Sequence, residues 1–502
     1  MKVLLVVVDA ASPRVFCPAV QTGRLKHLNR LADAGQMHEA SISIFPSITP
    51  AATASIITGE YPARSGIIGA AWYDEPQDQV FYYGDDLWVI GAEGFGAFLR
   101  NFLVHLNGDR LIAPTLFEVV EQQGKKAASL NYLVYRGLHE HRVHVPWLLA
   151  VLPGVPLAET VKGPSTLHLG DFVADKDGRS KPEGARGALH RFGMDDSSTA
   201  ALLGDAVASG QLPDLTVAYF PDNDYRSHEV GPYNALPVLD RVDATLGSVF
   251  EAAGGMERLL ADTCVIVTSD HGHCEVGDDA STAVVALDEL LGDFTQARIG
   301  SPWREGDEIL MCPNMRAAQI YVRDKASIER VGRAALADPR VDLILWRTKG
   351  AGGNPVYQVI GPRGEMTFGR HGDGGGRGRD AFGTTWHWSG DAAALRMEIG
   401  DGCVESSYYP NAFERIAGAL DADAAGDLWL TARPGCEFEA RGGKPHAGGA
   451  SHGALYALDS LSPLIYAGGP VRLPRAVRSI DIAALCMRAL GLAPRHDIGT
   501  PR

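Results

Sequence analysis

Short apolar runs that end in acids alternate with helical patterns along the first 270 residues of the chain. KVLLVVVD (2–9), LTVAYF (215–220) and CVIVTSD (264–270) are the clearest runs, and the segment 235–253 between the last two has the apolar spacing of an amphipathic helix. Repeated strand–helix–strand units are typical of a mostly parallel sheet with helices on both faces. The pattern therefore predicts an α/β core with a mostly parallel central sheet flanked by helices.

Other segments extend this core. We expect a helix near 25–35, a strand near 38–44, a helix within 115–124 and a strand directly after it. The apolar LIYAGG and the helical pattern SIDIAALCMRALG lie close to the carboxyl end of the chain. They indicate that the last 60 residues return to the core.

The pattern of apolar and polar residues changes near residue 295. AAQIYVR, VDLILWRT, PVYQVIG and GEMTFG, with a helical pattern near 326–337, predict a smaller α+β lobe. We therefore expect a core first part at 1–294, an inserted α+β cap lobe at 295–440 and the carboxyl-terminal part of the core at 441–502. The glycine-rich segment 370–380 lacks the GxxxxGK[ST] form, so we interpret it as a flexible loop rather than a phosphate cradle.

Composition limits the classes of function. A chain of 502 residues exceeds the roughly 250–300 residues at which a single core stops growing, which agrees with a core and a lobe. The net charge of −15 disfavours binding to nucleic-acid polymers, but it allows a small phosphorylated substrate held at a local metal site. No apolar run approaches the ~18 residues of a membrane span.

The number and spacing of the cysteines indicate the redox state of the compartment in which the protein resides. There are seven of them, an odd number, and none forms a CxxC pair, so we expect reduced thiols and a cytoplasmic protein. A homo-oligomer is compatible with the sequence.

Acidic residues stand at or just past the ends of the predicted strands. Asp9 and Asp270 end two apolar runs, and Asp222 or Asp224 follows a third. In open α/β sheets, ligands bind beyond the carboxyl ends of the strands. We therefore expect these carboxylates to meet in one crevice.

Histidines accompany these acids. His271 follows Asp270 directly, and His228 lies four residues after Asp224, a spacing that brings side chains together on a helical turn. Asp222 competes with Asp224 but lies six residues from His228. Each pair taken alone also fits a capped turn or a solvated ion pair.

A further histidine, His452, lies in the small-residue loop GGASHGAL, with His446 as the alternative ligand. Carboxylates and imidazoles without a thiolate suit Zn²⁺ or Mn²⁺. Two divalent ions need about six protein ligands, and two such ions can promote an in-line displacement. Six candidates are present: Asp9, Asp224, His228, Asp270, His271 and His452.

The segment FPSITPAATASIITG (45–59) places Thr49 before Pro50 at the mouth of a predicted helix. A threonine there is most simply an N-cap. Coordination to a divalent ion beside the positive end of the helix would instead make its hydroxyl a nucleophile.

Five motifs in chain order resemble the alkaline phosphatase superfamily, specifically its nucleotide pyrophosphatase/phosphodiesterase-like branch. They are VVVDA, FPSITPAATASIITGEYPARSGIIG, PDNDYRSHEVGP, TSDHGH and ASHGAL. The resemblance implies that one ion lies among Asp9, Thr49, Asp270 and His271, and the other among Asp224, His228 and His452. It further implies two divalent cofactors, Zn²⁺ or alternatively Mn²⁺, and a transient phosphothreonine at Thr49.

The chain departs from the family after GII. The family presents an asparagine that donates to a phosphate oxygen, whereas this chain continues with Gly69 and two alanines. Asn131 and Arg136 are candidates to replace that donor. Aromatic residues nearby either form a wall for a flat leaving group or belong to the core; they are Trp72, Tyr73, Tyr82 and Tyr83.

The resemblance implies a metal-dependent hydrolase of phosphodiester or pyrophosphate-type bonds. A phosphomonoesterase or a phosphonate hydrolase of the same superfamily is the alternative, and an inactive metal-binding scaffold is an alternative of another class. Monoesterases need extra positive charge for a dianion, and no arginine near Thr49 supplies it in the sequence, which favours diesters. A phosphoglycerate mutase relative would need a serine at position 49.

Overall fold

A computed structural model of the chain describes residues 1–84, 95–145, 159–173, 188–372, 375–439 and 443–502. Its centre is an eight-stranded sheet in which most neighbouring strands run parallel. The strand Leu461–Ala467 is antiparallel to both of its neighbours. The strand order is Val477–Arg478, Gln36–Ile42, Leu461–Ala467, Thr263–Thr268, Lys2–Val8, Leu215–Phe220, Ala127–Leu130 and Thr166–His168.

The strand Lys2–Val8 explains why this sheet lies in the middle of the core. Its residues from 3 to 8 are all buried, because helices cover both faces of the sheet. The residues at odd positions pack in one hydrophobic cluster with the helix Thr49–Thr58. Those at even positions pack in a second cluster with helices Pro13–Gln21 and Leu236–Ala252. The uninterrupted apolar run KVLLVVV thus fits a strand that is buried on both sides.

The α-helices vary from one turn to almost five turns. They are Pro13–Gln21, Lys26–Asp33, Thr49–Thr58, Pro62–Ser65, Phe95–Arg100, Leu116–Gln122, Asp196–Ala208, Asp222–Val230, Leu236–Ala252, Met256–Leu260, Ala280–Ala283, Leu287–Leu290, Ile328–Leu336, Ala412–Leu420, Ala457–Ser460 and Ile482–Ala489. A π-helical turn spans Asn101–His105. Short 3₁₀ helices span Glu75–Gln77, Ala188–Gly193, Lys325–Ser327, Ala351–Gly353, Ala392–Leu395 and Ser479–Asp481.

A second sheet of ten strands forms a separate lobe and is almost wholly antiparallel. Its order is Ile309–Asn314, Ala317–Val322, Leu428–Ala432, Val341–Lys349, Pro355–Gly361, Gly364–Gly369, Thr385–Gly390, Gly376–Arg379, Cys403–Glu405 and Glu398–Gly400. Four two-stranded pairs complete the described strands. They are Ala71–Asp74 with Gln79–Tyr82, His139–Arg142 with Thr160–Gly163, Cys274–Glu275 with Ala450–Ser451, and Val284–Ala286 with Glu437–Glu439.

The predicted fold class is confirmed: a mostly parallel central sheet flanked by helices stands beside a smaller lobe. The lobe boundaries near 295 and 440 stay a prediction. One interpretation was wrong, because the glycine-rich segment contains the strand Gly376–Arg379, paired with Thr385–Gly390. Residues 373–374 of that segment lie outside the described residues. Among the described helices, none has the length and hydropathy needed to cross a membrane.

Candidate active site

Three neighbouring parallel strands of the central sheet, beginning at residues 263, 2 and 215, deliver acids to one place. Asp270, Asp9 and Asp224 follow these strands in that order. All three carboxylates are buried. The carboxyl ends of adjacent parallel strands therefore meet as the sequence predicts.

The first cluster consists of Asp9, Asp270 and His271, whose ligand atoms lie within 4.8 Å of one another. His271 Nε2 lies 3.5 Å from Asp9 Oδ1 and 3.4 Å from Asp270 Oδ2. The backbone N–H groups of Ala10 and His271 donate to Asp270 Oδ1, and Tyr219 donates to Asp9 Oδ2. These hydrogen bonds leave one oxygen of each carboxylate facing His271.

Thr49 borders the first cluster. Its Oγ1 lies 3.0 Å from His271 Nε2, and the residue is only partly buried whereas Ile48 and Pro50 are buried. Thr49 is the first residue of the helix Thr49–Thr58, so Ile48 is the N-cap and no side-chain cap bond forms. The hydroxyl is thus not used as an N-cap and faces the cluster at the positive end of the helix.

The second cluster consists of four residues: Asp224, His228, His273 and His452. Asp224 Oδ1 lies 3.4 Å from His228 Nε2, 3.3 Å from His273 Nε2 and 3.6 Å from His452 Nε2. The helix Asp222–Val230 places Asp224 and His228 one turn apart. One carboxylate oxygen therefore stands at the centre of three imidazoles.

The imidazoles of three cluster residues are oriented by backbone carbonyl groups. Nδ1 of His228, His271 and His452 lies 2.7 Å, 3.1 Å and 2.8 Å from the carbonyl oxygens of Ala450, Gly272 and Ser47, respectively. An Nδ1–H that donates to a carbonyl leaves Nε2 as the basic nitrogen. Each Nε2 faces its cluster, which is the arrangement found in metal-ligating histidines.

Burial controls the protonation of these groups. Burial lowers the pKa of His273 to about 3, and burial together with the neighbouring His271 holds the pKa of His452 well below its usual range. Both imidazoles are therefore neutral at pH 7, with lone pairs available to a ligand. Burial, with Asp270 and Asp224 beside it, holds the pKa of Asp9 well above its usual range. The site concentrates negative charge that a bound cation would neutralise.

Several buried ligand atoms have no hydrogen-bond partner within the described ranges. They are Asp9 Oδ1, Asp224 Oδ1, Asp270 Oδ2, His273 Nε2 and His452 Nε2. An unsatisfied buried polar group costs about 1–3 kcal/mol, so five of them in one place need an explanation. Divalent cations bound by the two clusters would satisfy them. The residues present therefore fit the metal ions that the sequence suggests.

The two clusters adjoin. The rings of His271 and His452 stack with their centroids 3.7 Å apart. Ser47, two residues before Thr49, accepts from His452 Nδ1 and pairs with Gly453 as an isolated bridge. The segment that carries Thr49 is thereby joined to the loop that carries His452.

A buried ion pair supports the His452 loop. Arg316 donates from Nε to Asp459 Oδ1 at 2.7 Å, and both side chains are fully buried. The backbone N–H of Arg316 donates to the carbonyl of His452 at 2.9 Å. Arg316 comes from the antiparallel lobe, so this lobe helps to position the second cluster.

The competing ligands from the sequence lie elsewhere. Asp222 pairs with Arg191, and its backbone N–H donates to Asp196. His446 stacks on His228 with centroids 4.2 Å apart, but its Nδ1 lies 2.9 Å from Glu437 Oε2. Neither residue belongs to a ligand group in the described part of the chain.

Sequence reasoning missed His273. The signal was present in the motif TSDHGH, where His273 follows His271 by two residues. Residues two apart on an extended segment face the same side, so the spacing itself was a reason to expect both imidazoles at one site. The structure places His271 in the first cluster and His273 in the second, which adjoins it.

The candidates for the missing oxyanion donor are engaged in the core. Asn131 donates from Nδ2 to the carbonyl of Gly193 and to Thr199, and its Oδ1 accepts from Gly170. The guanidinium of Arg136 donates to Glu118 and to several backbone carbonyls. Both side chains hold loops together, and their role with substrate stays a prediction.

The candidate aromatic residues differ in what their side chains contact. Trp72 is 2% exposed and stacks on Tyr83 at 5.2 Å, and Tyr73 donates its hydroxyl to Asp78. Tyr82, in contrast, lines a cleft that Ile48 lines as well. The same cleft is lined by Ala70, Asn314, Phe438, Lys444 and His446.

The segment after GII rests against the antiparallel lobe. The backbone N–H groups of Ala70 and Ala71 donate to Asn314 Oδ1 at 2.7 Å and 3.2 Å. Asn314 Nδ2 donates in turn to the carbonyl of Ala71. Both ends of the Asn314 amide are therefore used to hold this segment.

A comparison with known protein families identifies the family of the chain. The family model described as type I phosphodiesterase/nucleotide pyrophosphatase matches residues 3–455. No curated protein sequence is similar enough to count as a relative.

Solved structures with the same fold are distant in sequence. Murine ectonucleotide pyrophosphatase/phosphodiesterase 5 is 13% identical with a TM-score of 0.58, over 99% of this chain and 97% of that chain. An inactive form of the murine protein, solved with AMP, is 14% identical with a TM-score of 0.58, over 99% and 96%. Phosphonoacetate hydrolase from Sinorhizobium meliloti 1021, solved with phosphonoformate, is 16% identical with a TM-score of 0.57, over 98% and 96%. These similarities establish the fold.

Proposed function

The chain belongs to the type I phosphodiesterase/nucleotide pyrophosphatase family and is a hydrolase; within this family we propose that it cleaves phosphodiester or pyrophosphate-type bonds through a phosphothreonine at Thr49. The observation that carries the proposal is the position of Thr49 Oγ1, 3.0 Å from His271 Nε2 at the border of the first cluster. A hydroxyl there is partly exposed and lies at a helix N-terminus. It can therefore reach a substrate phosphorus.

Two divalent ions, Zn²⁺ or alternatively Mn²⁺, are part of the proposal. Asp9, Asp270 and His271 would hold one beside Thr49, and Asp224, His228 and His452 would hold the other. The unpartnered buried carboxylate oxygens and imidazole nitrogens support both sites. When bound, such ions lower the pKa of a hydroxyl group and neutralise charge on phosphoryl oxygens.

The covalent chemistry falls to the side chains. Thr49 Oγ attacks phosphorus as its proton is lost, a bond forms between Oγ and phosphorus, and the bond from phosphorus to the leaving oxygen breaks in line with it. The leaving oxygen takes up a proton. Water then attacks the phosphothreonine, the bond from phosphorus to Oγ breaks, a phosphate monoester leaves as the product, and a proton from the water restores the Thr49 hydroxyl.

The cleft lined by Ile48, Tyr82 and Phe438 is the proposed place of the leaving group. Ile48, which precedes Thr49 in the chain, is one of its lining residues, and Tyr82 and Phe438 give it aromatic surface. A flat organic group, such as a nucleobase or an aryl group, suits such a surface. This cleft supports diesters over compact phosphate monoesters.

The test compares aryl phosphodiester, aryl phosphomonoester and phosphonate probes on the Zn²⁺-loaded and Mn²⁺-loaded wild-type protein and on Thr49→Ala. We expect the diester to give the highest kcat/KM and Thr49→Ala to lose turnover of every probe. Acid quenching of the wild type with a labelled substrate should trap phosphate on the peptide that contains residue 49. Full turnover by Thr49→Ala would exclude the covalent route, and a preference for the monoester or the phosphonate would replace the substrate class.

A further inference from the structure

We propose that His273 is a fourth protein ligand in the second cluster, so that the ion bound there is enclosed by four side chains. This inference rests on the divalent ions of the proposed function. The resemblance accounts for Asp224, His228 and His452 only, and it assigns His273 no role. The structure adds this imidazole to the same group.

The distances fit one ion at the centre of four atoms. Zn²⁺ binds imidazole nitrogen and carboxylate oxygen at about 2.0–2.2 Å, so the edges of a tetrahedron around it measure about 3.3–3.5 Å. Asp224 Oδ1 lies 3.3 Å from His273 Nε2, and the other two imidazole nitrogens lie at 3.4 Å and 3.6 Å from it. His273 has the shortest of the three separations, so its nitrogen is as well placed as those of the other ligands.

Hydrogen bonds explain the same distances poorly. A strong hydrogen bond between nitrogen and a carboxylate measures about 2.7–2.9 Å, and the three separations are all longer. One oxygen also cannot take three good hydrogen bonds from neutral imidazoles that direct Nδ1–H elsewhere. His228 and His452 do direct Nδ1 to backbone carbonyls. The spacing is that of ligand atoms around a shared cation.

Burying the imidazole of His273 without an ion costs free energy. The side chain is 0% exposed, and neither ring nitrogen has a hydrogen-bond partner among the residues described. A histidine that served only to fill the core would place at least one nitrogen on a donor or acceptor. Ligation through Nε2 gives His273 the partner that the protein does not supply.

The backbone holds His273 against the second cluster. The strand Cys274–Glu275 pairs antiparallel with Ala450–Ser451, and Cys274 lies opposite Ser451. The next position along this ladder sets His273 beside His452, with ring centroids 5.1 Å apart. Arg14 donates to the carbonyl of His273 at 2.9 Å. The imidazole is therefore placed by fixed backbone rather than by a loose loop.

Four protein ligands change the character of this ion. Structural zinc sites have four protein ligands, whereas catalytic sites keep a position open. The first cluster supplies three residues and leaves room for Thr49, but the second is complete without substrate. With His273 as a ligand, the second cluster would hold its ion through protein side chains alone, whereas Thr49 borders the first cluster.

The test measures metal binding directly. The background is Asp270→Asn, which removes a ligand of the first cluster and leaves one site. In this background we expect one Co²⁺ to bind with the intense visible absorption of four-coordinate cobalt. Adding His273→Ala should weaken this absorption and lower the affinity for Zn²⁺, measured against a chromophoric chelator, by at least about tenfold.

The matched control is His446→Ala in the same background. His446 contacts the ring of His228 but pairs with Glu437 and lies outside the cluster. Its loss should leave the Zn²⁺ affinity and the cobalt spectrum unchanged. His273→Gln keeps the volume of the side chain, and circular dichroism of the metal-free proteins verifies that all variants fold.

Equal Zn²⁺ affinity and equal cobalt spectra with and without His273 would overturn the inference. So would a weak six-coordinate cobalt spectrum in the parent Asp270→Asn protein, a result that requires no change at His273. The proposed function fails separately, if the wild-type protein with both ions bound cleaves none of the phosphate or phosphonate probes. Metal binding and turnover thus report on the two proposals independently.

Discussion

The two clusters of the site use the same kinds of side chain but differ in how they are completed. The first has two carboxylates and one imidazole, with a partly exposed hydroxyl beside them. The second has one carboxylate and three imidazoles, all supplied by the protein. The two clusters are in contact where the rings of His271, from the first, and His452, from the second, stack on each other. Under the two proposals, the reactive hydroxyl belongs to the first cluster and the fully protein-supplied ligand set to the second.

Removing the metal ions should have the largest effect on activity and stability, because it empties both clusters. We expect a chelator to reduce hydrolysis to background and to lower the thermal midpoint, since the buried carboxylates then face one another without a cation. Bound ions at 1,000 times their dissociation constant contribute about 4 kcal/mol per site to stability. Calorimetry of metal-free and reloaded protein measures this. Undiminished turnover in excess chelator would show that neither cluster holds a required ion.

Thr49→Ala should remove only the reactive part of the first cluster. We expect kcat to fall by about a thousandfold or more, because the attacking oxygen is gone while the ligands remain. The metal content at saturating Zn²⁺ should stay at two ions per chain, as measured by elemental analysis.

The control for this change is Thr58→Ala on the same helix. Thr58 donates its hydroxyl to the carbonyl of Ala54, so its loss should cost about 1 kcal/mol of stability and leave kcat unchanged. If Thr58→Ala lost as much activity as Thr49→Ala, the effect would belong to the helix and not to the hydroxyl.

Asp270→Asn and Asp224→Asn compare the clusters directly. Each should leave one ion instead of two at limiting Zn²⁺, because each removes a carboxylate ligand. We expect Asp270→Asn to lower kcat/KM by about a hundredfold or more, and Asp224→Asn to lower it less, because the first cluster lies beside Thr49.

An exposed acid gives the reference for both variants. Asp240 pairs with Arg24 at the surface, and Asp240→Asn should change neither metal content nor rate. A larger loss of rate for Asp224→Asn than for Asp270→Asn would reverse the assignment of chemistry to the first cluster.

Arg316→Met should have the smallest effect on catalysis and a clear effect on stability. It leaves Asp459 buried without its partner, which costs about 3–5 kcal/mol. The His452 loop loses support, so Zn²⁺ should bind less tightly at the second cluster than at the first. Urea unfolding and metal titration measure the two effects.

The double variant Arg316→Met, Asp459→Leu tests whether the unpaired charge of Asp459 causes the loss of stability. Replacing both charges with apolar groups should recover most of the stability. An unfolding midpoint for Arg316→Met equal to that of the wild type would show that the ion pair does not hold the loop.

Much of the core could be predicted because short stretches of sequence are enough to identify its strands and the acids that follow them. A strand buried on both faces reads as an uninterrupted apolar run, and Lys2–Val8 is one. The acids that follow such strands were predicted to meet because adjacent parallel strands end at one edge of a sheet. The same logic brought Asp9, Asp224 and Asp270 together.

The position of His273 depends on contacts that no local rule describes. Gly272 passes so close to the carbonyl of Leu458 that a Cβ at position 272 would lie 2.4 Å from its oxygen. This approach and the pairing of Cys274 with Ser451 direct His273 to the second cluster. Both involve residues nearly 200 positions further along the chain, so spacing within TSDHGH could not reveal them.

The roles of two polar residues, Asn131 and Arg136, stay predictions for a related reason. Asn131 and Arg136 have the chemistry of phosphate donors, but buried backbone groups in nearby loops need the same chemistry. A single sequence does not separate the two demands.

The order of the ligands along the chain has a consequence for biosynthesis. All residues of the first cluster, and Thr49 with them, have left the ribosome once position 271 has emerged, whereas the second cluster waits for His452. The nascent polypeptide therefore carries an incomplete centre while about 180 further residues, including the whole antiparallel lobe, are translated. The second cluster therefore cannot be complete until the last tenth of the chain is being made.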